Sequence, residues 1–411
     1  MDSVDRLRCY RCQREWVPEE APDLCPDCTR GVNYPGILEP VVSPSRLNVL
    51  SDLIARWQKP EGIGYFFPLL PGSQPPPSLG EGSTPLTRAR RLEKHLDSPA
   101  AIYLKNETLN PTGSFKDRMA AVLVGTALGR GAETLILVSS GNMAASLAAY
   151  AARAGLSVIT IVPPGSAGAR LEQITAHGAR AVAVRGSGED RLDLCLRAAE
   201  KLPLYQVTSP LNPYGPEGAK TAAYEEFIQL GGPPDWLFLP VGFGCNLVGH
   251  YRGYSDLMAA GLSSRLPRMV AVQPTGSPSL VRAFREGSEE GLPGPQDTIA
   301  GGISQTVTLG SRPGLRALRE SGGTALDVSD DELLQSVALL AELEGIWAEP
   351  SGAAGAAGIV RLVRQGRLSP GESVVAVVTG HGLKDPGAGK TRAHLPEVDP
   401  DLDEFVRAAG I

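Results

Sequence analysis

The stretch that decides the fold reads TLILVSSGNMAASLAAYAARAGLSVITIVPP, Thr134–Pro164. A short run of leucine and β-branched residues leads into an alanine-rich segment of helical length, and a second apolar run follows. Apolar strands separated by helices are typical of a parallel sheet whose two faces are both covered. The same alternation recurs from Ala101 to the VVAVVTG segment that ends at Gly380. We therefore predict an α/β fold built on parallel sheets.

Length and composition favour an enzyme of more than one domain over a fibrous or disordered chain. The 411 residues are 42% hydrophobic, and 48 glycines and 35 prolines punctuate periodic segments without forming a repeat. A net charge of −6 does not indicate a nucleic-acid or anionic-membrane partner. The sequence has no apolar run of the ~18 residues that a membrane span needs, and no signal-peptide core. We expect a cytoplasmic protein with reduced cysteines.

Four of the six cysteines lie close together near the N-terminus. The segments CYRC and CPDC place one C-x2-C pair at Cys9 and Cys12 and a second at Cys25 and Cys28. Two such pairs can hold one Zn²⁺ in tetrahedral coordination with little supporting core. We predict a zinc-ribbon-like segment over residues 1–40 with these four ligands. A cysteine lobe without metal and a pair of disulfides are the alternatives.

Parallel sheets bind ligands in the loops that follow their strands. After the predicted strand DWLFL comes PVGFGCN, Pro240–Asn246. Gly242 and Gly244 allow backbone N–H groups to converge on an anion, next to the positive end of the following helix. The loop is not the dinucleotide fingerprint, because Leu247 stands where that motif has its third glycine. The pattern favours a phosphate-binding loop, with an ordinary tight turn as the alternative.

Two further strand ends carry polar side chains. The loop SSGNM, Ser139–Met143, offers hydroxyl and backbone N–H groups that suit a carboxylate. Its Asn142 is able to bond a ring hydroxyl, although asparagine is also a common residue at a helix start. Thr379 is the last residue but one of the VVAVVTG segment, where its hydroxyl is placed to meet a heterocyclic nitrogen. The alternative is that threonine is simply a favourable residue in a strand.

One lysine lies at the start of a predicted alanine-rich helix, in NPTGSFKDRM, Asn110–Met119. A desolvated lysine amine is a good partner for an aldehyde. Pyridoxal phosphate fits this set of residues. Its aldehyde would react with Lys116, its phosphate would bind to the glycine loop, and its ring oxygen and ring nitrogen would lie near Asn142 and Thr379. We predict that Lys116 is catalytic, with an ordinary lysine as the alternative. We expect the two charged residues that follow it to hold the helix start by ion pairing.

Six segments occur in a characteristic order: NPTGSFKDR, SSGNMAAS, LNPYGPEGAKTAAYE, PVGFGCN, EPSGAAGAAG and TGHGLKDP. In sequence and spacing, about residues 75–387 resemble threonine synthase of the fold-type II pyridoxal-phosphate-dependent enzymes. The resemblance implies a two-domain, tryptophan synthase beta-like fold with the cofactor in the cleft, usually in a homodimer. It predicts a catalytic region over residues 41–411, with a smaller domain at about 125–232 inserted in the larger one.

The resemblance also implies residue roles. Lys116 would form the Schiff base with the cofactor, Asn142 would contact the ring hydroxyl, and Thr379 would contact the ring nitrogen. The residues expected to hold the cofactor phosphate are Gly242, Phe243, Gly244, Cys245 and Asn246. The residues expected to contact the substrate are Ser114, Ser139, Ser140, Gly141 and Lys220.

The reaction implied is that of a carbon–oxygen lyase, which converts O-phospho-L-homoserine and water to L-threonine and phosphate. The alternative is β-elimination or β-replacement on serine, O-phosphoserine or threonine. It rests on two departures from the resembling sequences. They have an arginine after the tyrosine of NPY where this chain has Gly215, and glycine cannot replace the two hydrogen bonds of an arginine to a phosphate. The later segment GGISQTVTLGSRPG lacks the Ile-Arg and Gly-Asn-Pro signature of those sequences, and Arg312 is the residue expected to compensate. A non-catalytic protein is disfavoured because Lys116 is present.

Overall fold

A computed structural model describes residues 4–31, 33–387 and 396–410 of the chain. These residues form strands that belong to three sheets. The strands are β1 Arg6–Cys9, β2 Glu15–Trp16, β3 Leu38–Val41, β4 Leu86–Arg88, β5 Ala101–Asn106, β6 Thr134–Val138, β7 Ser157–Val162, β8 Arg180–Ala183, β9 Tyr205–Gln206, β10 Trp236–Pro240, β11 Arg268–Pro274, β12 Thr324–Val328 and β13 Ser373–Val378.

Most of the α-helices lie in the chain between these strands, and no described helix has both the length and the apolar composition to cross a bilayer. They are α1 Pro44–Leu47, α2 Val49–Ala55, α3 Arg90–Leu96, α4 Lys116–Gly129, α5 Asn142–Ala154, α6 Ala169–Ala176, α7 Gly188–Lys201, α8 Gly215–Leu230, α9 Cys245–Ala259, α10 Ser279–Arg285, α11 Ser311–Glu320, α12 Asp330–Glu344, α13 Pro350–Arg364 and α14 Leu402–Ala409. Short 3₁₀ helices span Ile63–Leu69, Glu107–Leu109, Gly301–Ile303 and Gly382–Lys384.

The largest sheet has six strands in the order β12-β11-β10-β13-β5-β4. Its neighbouring strands are parallel except for the short edge strand β4, which runs antiparallel to β5. The central strand β10, WLFLP, is buried at every position. This pattern is expected of a parallel strand that has helices on both faces.

A second sheet of four parallel strands, in the order β8-β7-β6-β9, lies in the chain between β5 and β10. The predicted α/β fold with two parallel sheets is therefore confirmed. The exact limits of the two domains stay a prediction. The third sheet is antiparallel, in the order β2-β1-β3, and carries the N-terminal cysteines.

Helices α4, α8 and α9 pack backbone to backbone because glycines stand where they touch. A Cβ added at Gly218 of α8 would lie 2.0 Å from the carbonyl oxygen of Arg118 in α4. A Cβ added at Gly249 of α9 would lie 2.6 Å from the Cβ of Ala219 in α8. No side chain larger than hydrogen fits at either position. The close packing fixes the starts of α4 and α9 relative to each other, and both starts belong to the site.

Candidate active site

A cavity of about 450 Å³ is lined by loops that follow strands of both parallel sheets. The loop after β6 contributes 139–143, the loop after β10 contributes 242–246, and the end of β13 contributes Thr379. The start of α4 contributes Phe115 and Lys116. Three strand ends and one helix start, each singled out from sequence, thus open into one cavity.

Lys116 is the first residue of α4 and is partly buried. Its Nζ lies 3.6 Å from Sδ of Met119 and 4.5 Å from the centre of the Phe115 ring. Burial lowers the pKa of the Lys116 amine, and the nearby Cys245 thiol opposes this shift. Among the described residues no carboxylate lies within ion-pairing distance of Nζ. These surroundings favour the neutral, nucleophilic amine.

The segment before Lys116 is tied to the segment after β13. The N–H of Phe115 donates to the carbonyl of Thr379 over 3.0 Å, and the N–H of His381 donates to the carbonyl of Gly113 over 2.9 Å. Because these are backbone bonds, they fix Lys116 and Thr379 relative to each other regardless of side-chain rotation. The lysine and the strand-end hydroxyl therefore belong to one rigid unit.

The two charged residues after the lysine make different contacts. The carboxylate of Asp117 accepts hydrogen bonds from the N–H and the hydroxyl of Thr112, over 2.7 and 2.6 Å. Burial raises the pKa of Asp117 to about 6. Arg118 is fully buried and pairs over 2.7 Å with both Glu107 and Glu225. The expected ion pairing thus applies to Arg118, whereas Asp117 ties the segment before the helix to its first turn by hydrogen bonds.

The glycine loop is packed against the backbone of residues 302–310. A Cβ at Gly242 would lie 3.1 Å from Cα of Ile303, and one at Gly244 would lie 3.1 Å from the carbonyl oxygen of Gly310. Gly244 has φ +97° and precedes the first turn of α9, so its N-terminal N–H groups face the loop. Within residues 4–31, 33–387 and 396–410, the buried amide of Asn246 has no hydrogen-bond partner on either atom. A bound anion would use these donors.

Asn142 begins α5, and its Nδ2 donates to Oε1 of Glu349 over 2.7 Å. Its Oδ1 has no partner in the part of the chain that the structure describes. Glu349 lies at the start of α13, also lines the cavity, and is 2% exposed; burial raises its pKa. The sequence pattern does not identify Glu349 as a site residue. A signal was present, since a charged residue directly precedes the proline of the apolar segment EPSGAAGAAG.

The predicted substrate residues divide into two groups. Ser139, Ser140 and Gly141 line the cavity. Lys220 does not, because its ammonium is held by two carboxylates, 2.8 Å from Oε2 of Glu217 and 3.1 Å from Oδ2 of Asp256, in the packed interior. The structure therefore does not bring Lys220 to the site.

Ser114 and Arg312 also lie outside the cavity lining. Ser114 is buried in the backbone bridge to Gly380, and its Oγ has no partner among the described residues. The guanidinium of Arg312 pairs with Glu289 over 2.9 Å and with Glu290 over 2.8 Å. Arg312 therefore does not bring to the cavity the positive charge expected to compensate for the signature that its segment lacks.

Gly215 lies close to the lysine. A Cβ added there would be 3.2 Å from Cε of Met119, the residue whose sulfur touches the Lys116 amine, and 3.6 Å from Oγ of Ser209. Ser209 in turn contacts the Cys245 sulfur over 3.2 Å. On this side of Lys116 the neighbours are a thioether, a thiol and a hydroxyl, so glycine at 215 leaves this side without a guanidinium.

Two arginines do line the cavity, Arg170 and Arg191. Arg191 donates to the carbonyl of Gly186 over 2.7 Å. Arg170, in α6, lies 3.8 Å from Oε2 of Glu349 and 3.2 Å from Oδ2 of Asp385. The sequence does not identify Arg170, because its segment has the pattern of an ordinary amphipathic helix. Its loose pairing leaves the guanidinium able to meet an anion in the cavity.

The four N-terminal cysteines come together at one point. Their sulfur atoms all lie within 4.8 Å of one another, and Cys12 and Cys25 are 3.7 Å apart. Tetrahedral zinc with Zn–S bonds of about 2.3 Å requires sulfur separations of roughly 3.8 Å. The N–H of Arg11 donates to Sγ of Cys9, and the N–H of Arg14 lowers the pKa of Cys12 to about 7. This arrangement is compatible with a metal ion.

Comparison with known proteins gives consistent matches. Residues 77–380 match the family model described as pyridoxal-phosphate dependent enzyme. The chain is 35% identical to threonine synthase from Methanosarcina acetivorans, with 92% of each chain covered. It is 37% identical to threonine synthase from Methanocaldococcus jannaschii, over 80% of this chain and 82% of that protein. Threonine deaminase isoform 2 from Solanum lycopersicum has the same fold, with TM-score 0.65, 19% identity and 96% and 94% coverage.

Proposed function

We infer that this chain, which belongs to the pyridoxal-phosphate dependent enzymes and among them to the threonine synthases, converts O-phospho-L-homoserine and water to L-threonine and phosphate. The matches confirm the resemblance that the six sequence segments indicated. One geometric observation carries the proposal most directly. The desolvated Lys116 amine shares a cavity with a glycine loop that presents a helix N-terminus.

The residues present fit pyridoxal phosphate. The unpartnered amide of Asn246 and the closely packed Gly242 and Gly244 suit a phosphate, and the neutral Lys116 amine suits an aldehyde. In our proposal residues 242–246 hold the phosphate, Asn142 contacts the ring hydroxyl and Thr379 contacts the ring nitrogen. The bound cofactor would supply an electron-withdrawing ring that stabilises negative charge next to the substrate's amino group.

Lys116 has a second role in the proposed reaction. Once free of covalent attachment, its amine is a neutral base that removes the proton from the substrate's Cα and later one from Cβ. The backbone hydrogen bonds of Gly113 and Phe115 to His381 and Thr379 keep the helix start fixed during these transfers. The sulfur and aromatic neighbours of Nζ keep water away, which preserves its basic form.

The alternative function is β-elimination or β-replacement on serine, O-phosphoserine or threonine. The observation that favours it is the absence of a guanidinium beside Lys116, where Gly215 faces Met119 and Ser209. A substrate with a small uncharged leaving group would need no cation at this position.

The two functions are separated by assaying purified, cofactor-loaded protein on a panel of amino acids. The proposed function requires that O-phospho-L-homoserine yields equal amounts of phosphate and L-threonine. Formation of 2-oxo acid and ammonia from serine, O-phosphoserine or threonine, with O-phospho-L-homoserine inert, would establish the alternative instead.

The leaving phosphate needs a cation, and we propose Arg170. Lys220 and Arg312 are held by carboxylates away from the cavity. Arg170 lines the cavity, and its ion pairs among the described residues are the 3.8 and 3.2 Å contacts to Glu349 and Asp385. A phosphate dianion would compete well with such contacts, because guanidinium and phosphate form two parallel charge-assisted hydrogen bonds.

Replacing Arg170 by methionine tests this assignment. Loss of charged hydrogen bonds worth ~1.5–3 kcal/mol predicts a rise in KM for O-phospho-L-homoserine of roughly 10-fold to 100-fold. Steady-state kinetics measure KM, and the cofactor absorbance band should be unchanged. Arg153→Met, at an exposed position of α5, is the matched control and should leave KM unaltered. An unchanged KM in Arg170→Met would remove Arg170 from the substrate site.

The lowered pKa of Lys116 predicts a pH dependence for attachment of the cofactor. Only the deprotonated amine attacks an aldehyde, so the rate of Schiff-base formation in cofactor-free protein should rise with pH and level off above the pKa. Because burial depresses that pKa, the midpoint should lie below 10.5, the ordinary value for lysine. Stopped-flow absorbance measures the rate. A midpoint at or above 10.5 would contradict the desolvated environment assigned to the amine.

We also propose that the cysteine cluster binds Zn²⁺, since its sulfur separations suit tetrahedral coordination. Metal analysis of protein purified without chelator tests this proposal. A cytoplasmic location and a homodimer stay predictions.

A further inference from the structure

The N-terminal sheet lies directly behind the glycine loop. We call residues 4–31 and 33–41 the ribbon. Its residues Tyr10, Ile37 and Leu38 face Gly244 and Cys245 across a gap with only about 10 Å³ of free space. Gly244 and Cys245 form the start of α9, on which the proposed phosphate site depends. The ribbon and the start of α9 therefore line one narrow gap, which has room for about one water molecule.

The part of the ribbon that faces the glycine loop, Ile37 and Leu38, is connected to the cysteine cluster through the backbone. The N–H of Cys25 donates to the carbonyl of Gly36 over 2.8 Å, and β1 pairs Cys9 with Leu38. A Cβ added at Gly36 would lie 2.7 Å from the carbonyl oxygen of Cys25, so the two segments touch through their backbones. Backbone contacts thus join Cys25 to Gly36 and Cys9 to Leu38, next to or within the segment Ile37–Leu38.

The ribbon is also attached to the helix that the loop begins. Arg252 of α9 donates through Nη2 to the carbonyl of Pro40, and its Nε lies 2.9 Å from Oε1 of Glu217 in α8. Glu39, next to Pro40, is 7% exposed and pairs with Arg8 over 2.7 Å. The hydrogen bond from Arg252 to Pro40 attaches β3 to α9, and the Arg8–Glu39 pair joins β3 to β1.

The ribbon and the glycine loop also pack against one shared apolar cluster. Leu24 of the ribbon packs against the buried cluster of Leu192, Leu211 and Leu309, and Phe243 of the glycine loop packs against the same cluster. The ribbon therefore lines the gap behind Gly244–Cys245 and contacts the cluster under Phe243.

We propose that the ribbon is the outer support of the phosphate loop, so that metal binding by the four cysteines sets the affinity for the cofactor's phosphate. This inference rests on the proposed function, because it takes residues 242–246 as the phosphate site. Metal ligation holds Cys9 and Cys25 and, through them, the edge at Ile37 and Leu38. Without that edge the N–H groups of the loop lose their fixed directions, and preorganisation for an anion is lost.

The inference predicts a defect that is specific for phosphate. Lys116 is held by backbone bonds to the segment after β13, which do not involve the ribbon. The hydrogen bond from Arg130 to the carbonyl of Pro18 joins α4 to the ribbon at the opposite end of the helix from Lys116. Loosening the ribbon should therefore weaken binding of pyridoxal phosphate and leave binding of pyridoxal, the same aldehyde without phosphate, unaffected. A general loss of folding would weaken both.

The experiment measures apparent Kd for both aldehydes from the Schiff-base absorbance of cofactor-free protein. We compare wild type with metal, wild type after chelation and readdition of Zn²⁺, Cys12→Ser and Leu38→Ala. Outer supports of a binding site typically contribute 10-fold to 100-fold in affinity, so the Kd for pyridoxal phosphate should rise by at least about 10-fold after chelation and in both variants. The Kd for pyridoxal should change by less than about 2-fold, and Zn²⁺ should restore the chelated protein.

The control variant is Glu19→Ala. Glu19 belongs to the ribbon and is exposed. It should behave as wild type with both aldehydes.

Three outcomes would each overturn the inference, and the third would overturn the proposed function as well. An unchanged Kd for pyridoxal phosphate after chelation and in Leu38→Ala would overturn the inference while leaving the proposed function intact. An equal rise for both aldehydes would also overturn it, because the ribbon would then support the fold as a whole. Wild type that forms no Schiff base with either aldehyde would overturn the proposed function itself, and the inference with it.

Discussion

Lys116→Ala should abolish the Schiff-base absorbance band and lower turnover by ~1,000-fold or more, with the fold retained. The side chain supplies both the covalent attachment and the base, and a positioned base alone contributes about 10²–10⁴-fold. Among the described residues the truncation removes contacts to Met119 and Phe115 and no ion pair, so the free energy of unfolding should change little. Absorbance spectroscopy and product assays of the purified variant measure the two effects.

The matched control for this experiment is Lys201→Ala, at the exposed C-terminal end of α7. It should keep both the band and the activity. A Lys116→Ala protein that retained the band would show that another amine carries the cofactor, and the assignment of the site would be wrong.

Arg118→Met should cause a large loss of stability. The guanidinium is fully buried and bonds Glu107 and Glu225, and Lys105 also pairs with Glu225 over 2.7 Å. Removing the arginine leaves more negative charge in the interior than Lys105 can neutralise. Breaking such a buried pair from one side costs ~3–5 kcal/mol of unfolding free energy.

Urea unfolding followed by circular dichroism measures this change. Arg197→Met is the control, because Arg197 forms an exposed pair with Asp193 in the same helix and such pairs contribute only ~0.3–0.5 kcal/mol. The prediction fails if both variants unfold at the same urea concentration.

The same network predicts a loss of stability in acid. Burial alone would raise the pKa of Glu107, but the charges of Arg118 and Lys105 outweigh this effect and lower that pKa to about 2. Stability from this carboxylate is therefore present above its ordinary pKa of 4.5 and lost as the pH falls towards 2. Urea unfolding of the wild type at a series of acidic pH values measures the loss.

The parts of the site that follow strand ends could be predicted from sequence. A parallel strand is recognisable by its apolar run, and the residues after it belong to the ligand-binding edge whatever the rest of the chain does. Lys116, Asn142 and Thr379 lie at such starts and ends, and all line the cavity.

Residues whose surroundings come from distant segments were not predictable in this way. Glu349 and Arg170 reach the cavity because α13 and α6 converge on it, which no local pattern encodes. Lys220 had the right charge and a plausible motif, but Asp256, on another helix, lies 3.1 Å from its ammonium. The edge strand β4 has three residues and no buried position, so it lacks the apolar run that identifies the other strands.

The close packing of α4, α8 and α9 has a consequence for how the site is able to change. Pyridoxal phosphate carries its aldehyde on a rigid ring and its phosphate on a short arm of that ring, so the two groups lie within a limited range of distances. The amine that meets one end begins α4, and the amides proposed to meet the other begin α9, while glycines at 218 and 249 leave these helices no slack. New substrate preferences in a descendant of this chain would therefore arise through cavity residues outside this frame, such as Arg170 of α6, and the helical frame would remain as it is.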